Sequence, residues 1–233
     1  MPAPLALICL AAHYVGTVVD TPAGWALRLP DHADLVWDDG RTKSFEEALA
    51  TPDLQDTLMQ PYRTGPILPV TVPDADPGRI RSDVLLAATY GGSAEAVALQ
   101  NVQFVGQSVR MHPRAAAALA RVSSRLDGQM DAATATFVTG PLGGTFMWRP
   151  IANTTRRSAH SYGIAIDISV KGSDYWEWQR SADGTVRWRN RVPQTIIDAF
   201  EAEGFIWGGR WFHYDTMHFE YRPELLDPAC RLP

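Results

Sequence analysis

Two histidines and a short carboxylate stand on apolar segments in the C-terminal half of the sequence. His160 and Asp167 are seven residues apart in the stretch SAHSYGIAID, and His218 follows fifty-one residues after Asp167 in DTMHFE. Zinc binds imidazole nitrogen and carboxylate oxygen, and three protein ligands leave one coordination position for water, as in catalytic sites. A single histidine on an apolar strand is more often a core residue, but the combination predicts a zinc site formed by His160, Asp167 and His218.

A further carboxylate lies close to the second histidine. Asp215 precedes His218 by three residues, where it can take a proton from the attacking water and pass it to a leaving amine. It also suits an ordinary turn before a strand. Glu220 is the alternative base because it shares the strand face of His218, or else it orients a ligand from outside. His213 is close enough in sequence to orient a ligand or to replace one.

Hydrolysis of a peptide bond also needs positive charge at the developing oxyanion. Arg149 is the first candidate and Arg156 the second, and their spacing does not separate them. Six of the eight tryptophans lie between Trp148 and Trp211, mostly for packing, but the glycines of Trp207-Gly-Gly-Arg210-Trp211 allow a close backbone approach. We expect four residues to contact the substrate: Ser158, Arg156, Trp207 and Arg210.

Composition limits the classes of protein that this chain can represent. Its 233 residues are 45% hydrophobic and 20% charged, which is typical of a globular protein with a substantial core. A net charge of -5 without a Lys/Arg run argues against nucleic-acid binding. No apolar run reaches the roughly 18 residues of a membrane span, so no integral membrane segment is expected. The sequence leaves the oligomeric state open.

The first residues permit two interpretations. Residues 3–12 are apolar and end in small residues, like the core of an export signal, but they lack a basic segment before them. The alternative is a buried first strand. Cys9 and Cys230 lie at opposite ends of the chain, so a disulfide requires the two ends to meet, and removal of a signal would leave Cys230 single.

The hydrophobic patterns predict short strands and helices in irregular order. Strands are expected at 17–19, 25–29, 102–111, 135–139, 164–169 and 218–221; helices are expected within 45–59 and over 76–91, 113–126 and 193–204. Residues 174–191 suit a loop or hairpin. Alternation along 164–169 turns Asp167 away from the core, toward a cleft. Because the elements lack βαβ regularity, the expected fold class is α+β.

The motif residues resemble those of a known family. The pattern Ser-x-His-x-x-Gly-x-Ala-x-Asp is matched in full from Ser158 to Asp167 and is followed by Asp-x-x-His at 215–218. The bacterial zinc peptidases that cut peptidoglycan stem peptides are similar at these positions; they include D-alanyl-D-alanine carboxypeptidases and L-alanyl-D-glutamate endopeptidases. Clear resemblance covers about 135–226. It implies these roles: zinc ligands His160, Asp167 and His218, catalytic base Asp215, and transition-state arginine Arg149.

The resemblance also implies a fold and a division of the chain. The expected fold is a small central antiparallel sheet flanked by helices, a D,D-peptidase or hedgehog-like zinc fold with an N-terminal extension. Residues 1–16 would be a signal or apolar segment, 17–110 an extension packing on the core, and 111–233 the zinc peptidase domain.

Aspartate at position 215, with the Trp-Gly-Gly-x-Trp stretch, is similar to the L-alanyl-D-glutamate endopeptidases. The implied function is a Zn²⁺-dependent peptidase acting on peptidoglycan stem peptides in the cell envelope or periplasm, with a cytoplasmic location left open. One alternative is a D-alanyl-D-alanine carboxypeptidase of the same family. Another is a non-catalytic zinc-containing module that binds the cell wall; a catalytic base and an oxyanion arginine speak against it.

Overall fold

Short antiparallel strands and helices make up the computed structural model, which describes residues 2–152, 154–181 and 185–233. The helices are α1 (Leu5–His13), α2 (Phe45–Ala50), α3 (Asp83–Tyr90), α4 (Pro113–Asp127), α5 (Ala132–Val138), α6 (Gln194–Glu201) and α7 (Pro223–Leu226). The strands are β1 (Thr17–Thr21), β2 (Gly24–Arg28), β3 (Leu35–Val36), β4 (Gln100–Phe104), β5 (Gln107–Met111), β6 (Ala165–Asp167), β7 (Phe205–Trp207) and β8 (His218–Tyr221). This mixture is α+β, as predicted.

The described strands form three small antiparallel sheets. β1, β2 and β3 make one, β4 and β5 make a hairpin, and β6, β8 and β7 make the third in that spatial order. β8 is therefore central in the third sheet. Its register places His218 opposite Asp167 of β6, so two of the predicted ligands are neighbours across the sheet.

The two faces of β8 serve different purposes. Phe219 stacks on Phe200 of α6 with ring centroids 4.0 Å apart, so this face packs into the core. Because side chains alternate along a strand, His218 and Glu220 point to the opposite face. Helix α4 in turn contacts α6 and β4. Helix α6 thus supports the sheet from behind and leaves its other face for a site.

Helix α4 has the ends that the sequence predicts. It begins at Pro113, whose missing N–H is not needed in a first turn, and it ends before Gly128. The predicted strand at 218–221 is also confirmed as β8, and the strand at 164–169 is confirmed in its central part as β6. The predicted helix at 193–204 is shorter and ends at Glu201.

The predicted strand at 135–139 is wrong, because residues 135–138 belong to helix α5 and Thr139 caps its end. The β-branched and aromatic residues of this stretch favour a strand by propensity. Asp131 outweighs that preference, since its side chain accepts a hydrogen bond from the Thr134 N–H at 2.7 Å and caps the helix.

Two other boundaries differ from the predictions. Residues 76–82 are not helical; α3 begins at Asp83, where the Ser82 side chain caps it. Residues 102–111 form two strands, because Val105 and Gly106 both have positive φ and reverse the chain. In the predicted loop or hairpin at 174–191, a single helical turn covers Trp176–Gln179 among the described residues; residues 182–184 lie outside them.

Residues Leu5–His13 form a helix, not the buried first strand that was one of the two interpretations of this segment. Helix α1 buries Ala6, Leu7, Cys9 and Leu10, and a disulfide joins Cys9 to Cys230 with a Cα–Cα distance of 5.1 Å. The buried core is continuous across residues 16 and 110, while the proposed division into three segments stays a prediction. Within the described ranges, no helix has the length and apolar character needed to cross a membrane.

Candidate functional site

The three predicted metal ligands lie together beside the third sheet. Asp167 and His218 face each other across β6 and β8, and His160 lies in the helical turn Ala159–Tyr162 that leads into β6. Between His160 Nε2, Asp167 Oδ1 and His218 Nδ1 the distances are 3.2, 2.9 and 3.2 Å. Ligand atoms around a tetrahedral zinc ion lie about 3.3 Å apart. The triangle therefore has the size that zinc requires.

In both histidines, the ring nitrogen that points away from the cluster has a hydrogen-bond partner. His160 Nδ1 lies 3.1 Å from the Thr145 carbonyl oxygen, which can only accept, so this nitrogen carries the proton. His218 Nε2 lies 3.4 Å from Glu220 Oε2 and donates to that carboxylate. The inner nitrogens of the neutral rings consequently present lone pairs to the same point as Asp167 Oδ1. Three converging acceptors fit a bound cation.

The helical turn that carries His160 is shaped by its two ends. The Ser158 side chain accepts a hydrogen bond from the His160 N–H at 3.4 Å, which caps the turn. Gly163 ends it with a φ of +65°, and a Cβ at this position would lie 2.7 Å from Leu99 Cδ2. The serine and the glycine of the motif therefore fix the direction in which His160 points.

Electrostatics at the cluster favour a positive charge. Burial raises the pKa of Asp167, but the two histidines outweigh it and hold the pKa below its usual range. Burial lowers the pKa of His218, whereas Asp167 and Glu220 raise it, with a net rise to about 10. Both shifts indicate that the cluster stabilises a cation among its acceptors.

Asp215 lies beside the cluster with a free oxygen. Its Oδ1 is buried and has no hydrogen-bond partner among the described residues. Burial, followed by repulsion from Asp167, raises the pKa of Asp215 to about 6. The turn that holds it is closed by the His218 N–H, which donates to the Asp215 carbonyl at 3.2 Å. A carboxylate with this pKa and an unpartnered oxygen suits proton transfer near neutral pH.

An open cleft of about 540 Å³ gives access to these groups. Both arginines and aromatic rings line it. The cationic residues along the cleft are Arg79, Arg81 and Arg149, and the aromatic ones are Tyr175, Trp176, Trp178 and Trp211. A cleft with a cationic side suits a substrate with negative charge near the reacting bond.

Three further predicted residues lie at or next to the cleft. Arg149 is exposed at the cleft, and the one hydrogen bond between its guanidinium and a described residue is a 3.4 Å contact to the Pro150 carbonyl. Ser158 also lines the cleft, although its oxygen serves the helical turn. Arg156 lies behind the wall, where its Nη1 donates to the Arg79 carbonyl at 2.9 Å.

The structure does not bring Trp207 or Arg210 into the cleft, contrary to the prediction that they contact substrate. Trp207 is 1% exposed, and its indole N–H donates to the Thr216 carbonyl. Arg210 pairs with Glu201 at 2.6 Å. The two side chains are therefore occupied by the protein itself. His213 lines the cleft but is held by Asp76 at 2.6 Å, so it is not a ligand of the cluster.

Glu220, the alternative base, is fully buried and engaged on all sides. It lies 3.2 Å from Arg81 Nη1, 3.0 Å from Arg222 Nη1 and 3.4 Å from His218 Nε2. Burial raises its pKa, but Arg81, His218 and Arg222 hold the pKa well below the usual range. The contacts of Glu220 therefore suit the orientation of His218, and Asp215 remains the candidate base.

Sequence reasoning missed the contribution of the N-terminal half. Arg79 and Arg81 line the cleft, and Asp76 holds His213. The stretch Asp76-Pro-Gly-Arg79 was interpreted as the start of a helix. Its Pro-Gly dipeptide is more typical of a turn, and that signal points to a loop here.

Comparison with known families agrees with this geometry. A family model matches one segment of the chain, which contains the three candidate ligands and Asp215. Arg149 and the cleft residues of the N-terminal half lie outside this segment. Residues 152–221 match the family model described as D-alanyl-D-alanine carboxypeptidase, and this match supports the peptidase family that the motif residues resemble.

Proposed function

We propose that this protein is a zinc-dependent peptidase that hydrolyses peptidoglycan stem peptides, most like an L-alanyl-D-glutamate endopeptidase. One observation carries the proposal: a buried Asp215 oxygen, without a hydrogen-bond partner among the described residues, lies in the same cleft as three converging candidate ligand atoms. A site that only binds a metal or a wall fragment needs no free proton acceptor at that position. The peptidase family match supports the same reaction class.

The residues of the cleft divide the chemistry among them. His160, Asp167 and His218 would hold the zinc ion, which when bound supplies the Lewis acidity that activates water and polarises a carbonyl. Asp215 Oδ1 accepts one proton as the water oxygen bonds to the carbonyl carbon. As the C–N bond breaks, Asp215 returns that proton to the leaving nitrogen, so the products are a carboxylic acid and an amine, which ionise to a carboxylate and an ammonium group. Arg149 stabilises the oxyanion from the cleft wall.

The D-alanyl-D-alanine carboxypeptidase reaction is the second candidate. The description of the matched family model favours it, whereas aspartate at position 215 favours the endopeptidase. Both reactions require the same hydrolytic groups and differ in the bond presented to them. We further propose a location in the cell envelope, because the Cys9–Cys230 disulfide suits an oxidising compartment.

Metal analysis combined with digestion of whole peptidoglycan tests this proposal. We expect one zinc per chain in the wild type and in Asp215→Ala, and release of peptides by the wild type alone. Asp20→Ala, which removes an exposed aspartate far along the sequence, is the matched control and should retain activity. The termini of the released peptides identify the bond. Zinc without release from any substrate would support the binding module, and absence of zinc would reject the proposal.

A further inference from the structure

Almost every residue of one loop in the N-terminal half makes a hydrogen bond or an ion pair with residues around the site. This loop, residues 76–81, is called the Arg79 loop here. Its backbone carbonyls accept hydrogen bonds from Trp211 Nε1 at Pro77 (2.8 Å), from Arg222 Nη1 at Gly78 (2.9 Å) and from Arg156 Nη1 at Arg79 (2.9 Å). Its two ends are fixed by charged side chains, Asp76 on His213 and Arg81 on Glu220. The loop is therefore held rigidly against the residues that surround the metal centre.

Close packing at Gly78 adds to this rigidity. The residue has a φ of +92°, and a Cβ there would lie 2.6 Å from Ile206 Cδ1 and 2.8 Å from Leu225 Cδ1. The loop backbone thus rests directly on the core beneath β7 and α7. A backbone fixed from several sides positions the side chain it carries without further ordering on ligand binding.

The side chain so positioned is that of Arg79. Its guanidinium carbon lies 5.5 Å from the centre of the Trp211 ring, and this ring lies 5.8 Å from the ring of the candidate ligand His218. Arg79 lines the cleft and is half-buried, yet its guanidinium makes no hydrogen bond to any described residue.

Neighbouring arginines are occupied in a way that Arg79 is not. Arg81 and Arg222 are held by Glu220, and Arg156 donates to the loop backbone. Arg79 is accordingly a preorganised cation whose donors have no hydrogen-bond partner among the described residues, in the same cleft as the metal-ligand cluster. The planar guanidinium is suited to bind a carboxylate with two parallel hydrogen bonds.

The two candidate bonds share one anionic feature next to the leaving nitrogen. In a terminal D-alanyl-D-alanine bond, the carbon attached to the leaving nitrogen carries the free terminal carboxylate. In an L-alanyl-D-glutamate bond, that carbon carries the α-carboxylate of glutamate, which is free when the chain continues through the γ-carboxyl. An internal peptide bond of an ordinary protein has an amide there instead.

We propose that Arg79 is a specificity-determining residue that binds the free α-carboxylate next to the leaving nitrogen. The inference rests on the proposed peptidase function and deepens it. It implies that the enzyme discriminates against substrates in which this carboxylate is an amide, and that the Arg79 loop completes a site whose other residues lie far along the chain.

Two matched pairs of peptides test the proposal. One pair contains an L-alanyl-D-glutamate bond with the glutamate α-carboxyl either free or amidated, and the other ends in D-alanyl-D-alanine with a free or amidated terminus. We expect kcat/KM of the wild type to favour the free carboxylate by about 10- to 100-fold, as for a hydrogen-bonded charged pair. The pair that is cleaved identifies which of the two carboxylates the site binds.

Variants of Arg79 connect this preference to the residue. Arg79→Ala should abolish the preference, mainly by raising KM for the carboxylate peptide, and Arg79→Lys should restore part of it because the charge remains. Arg63→Ala, which removes an exposed arginine of the same half, should behave as the wild type. A full preference in Arg79→Ala, or equal rates for both peptides in the wild type, overturns the proposal. Zinc content and circular dichroism of each variant verify that the fold is intact.

A binding measurement separates this inference from the proposed function. Calorimetry in the Asp215→Asn background measures the affinity of each peptide without turnover. If the wild type cleaves neither pair, the peptidase proposal fails, and the binding data alone judge Arg79. Tighter binding of the carboxylate peptides that Arg79→Ala removes supports the inference; equal affinity within each pair, or no binding, rejects it.

Discussion

Glu220 shows at the scale of one residue how the cleft depends on a buried charge. Its carboxylate is 0% exposed, and it orients His218 while neutralising Arg81 and Arg222. Arg81 comes from the N-terminal half and Arg222 from the C-terminal half. The same side chain therefore contacts the candidate ligand His218 and also links distant parts of the chain.

Replacement of Glu220 by glutamine should weaken both functions. Glu220→Gln leaves the buried guanidinium of Arg81 without a carboxylate and leaves Arg222 with Glu224 alone, which costs about 3 kcal/mol of unfolding free energy. The loss of the charged acceptor for His218 Nε2 should lower zinc affinity about 10- to 100-fold. Denaturant unfolding of the metal-free protein and competition with a metal chelator measure these two effects separately.

Glu203→Gln is the matched control, since Glu203 also pairs with two arginines. Its partners Arg121 and Arg125 are 58% and 50% exposed, and such pairs contribute at most about 1 kcal/mol. Zinc affinity should not change in this variant. Equal losses of zinc affinity in both variants would mean that Glu220 does not act through His218.

Among the structural elements, the Arg79 loop restricts the amino acid at one position, Gly78, most closely. Gly78→Ala places a Cβ against Ile206 and Leu225 at a backbone φ of +92°. The left-handed backbone costs about 1–2 kcal/mol for alanine, and the overpacking adds about 1–3 kcal/mol. We expect lower stability and, because the loop must shift, a weaker preference for carboxylate substrates.

Gly40→Ala separates these two effects. Gly40 has a φ of +73°, and nothing lies within 4 Å of a Cβ built there. This variant should lose only the backbone contribution and keep the full substrate preference. If Gly78→Ala is no less stable than Gly40→Ala by denaturant unfolding, the close packing under the loop is not what holds it.

Local signals predicted the elements unevenly, for identifiable reasons. Helix α4 was predictable because proline, an apolar stripe and glycine all agree along its length. Helix α5 was mistaken for a strand because its propensity opposes the cap that Asp131 provides. The β4–β5 turn was missed because Val105-Gly106 is not a typical pair for a turn with two positive φ values.

At the scale of the whole molecule, the clustering of the three candidate ligands was predictable and the surrounding cleft was not. His160, Asp167 and Asp215 belong to short motifs whose spacing carries the chemistry. Arg79 and Arg81 reach the site through contacts that span well over a hundred residues, such as the hydrogen bond from Trp211 to Pro77. No local pattern encodes such pairing, and a single sequence gives no other signal for it.

The Cys9–Cys230 disulfide joins the two ends of the described chain, 221 residues apart. A bridge that closes so long a loop restricts the unfolded ensemble strongly, and removal of such a bridge typically costs about 2–5 kcal/mol. Cys9→Ser/Cys230→Ser should therefore unfold at a lower denaturant concentration than the wild type. Neither cysteine lines the cleft, so activity of the folded protein should be retained.

A reductant provides the control for this last prediction, because it should lower the wild-type midpoint to that of the double variant and leave the double variant unchanged. Thiol labelling adds a second measurement that addresses the N-terminal segment. If α1 remains in the mature protein, the non-reduced wild type has no reactive thiol, even after unfolding. Removal of residues 1–12 as an export signal would leave Cys230 single and labelled without reductant. A labelled Cys230 would thus show that α1 is not part of the mature fold, while a protected one makes this apolar helix a structural element fastened by its own disulfide.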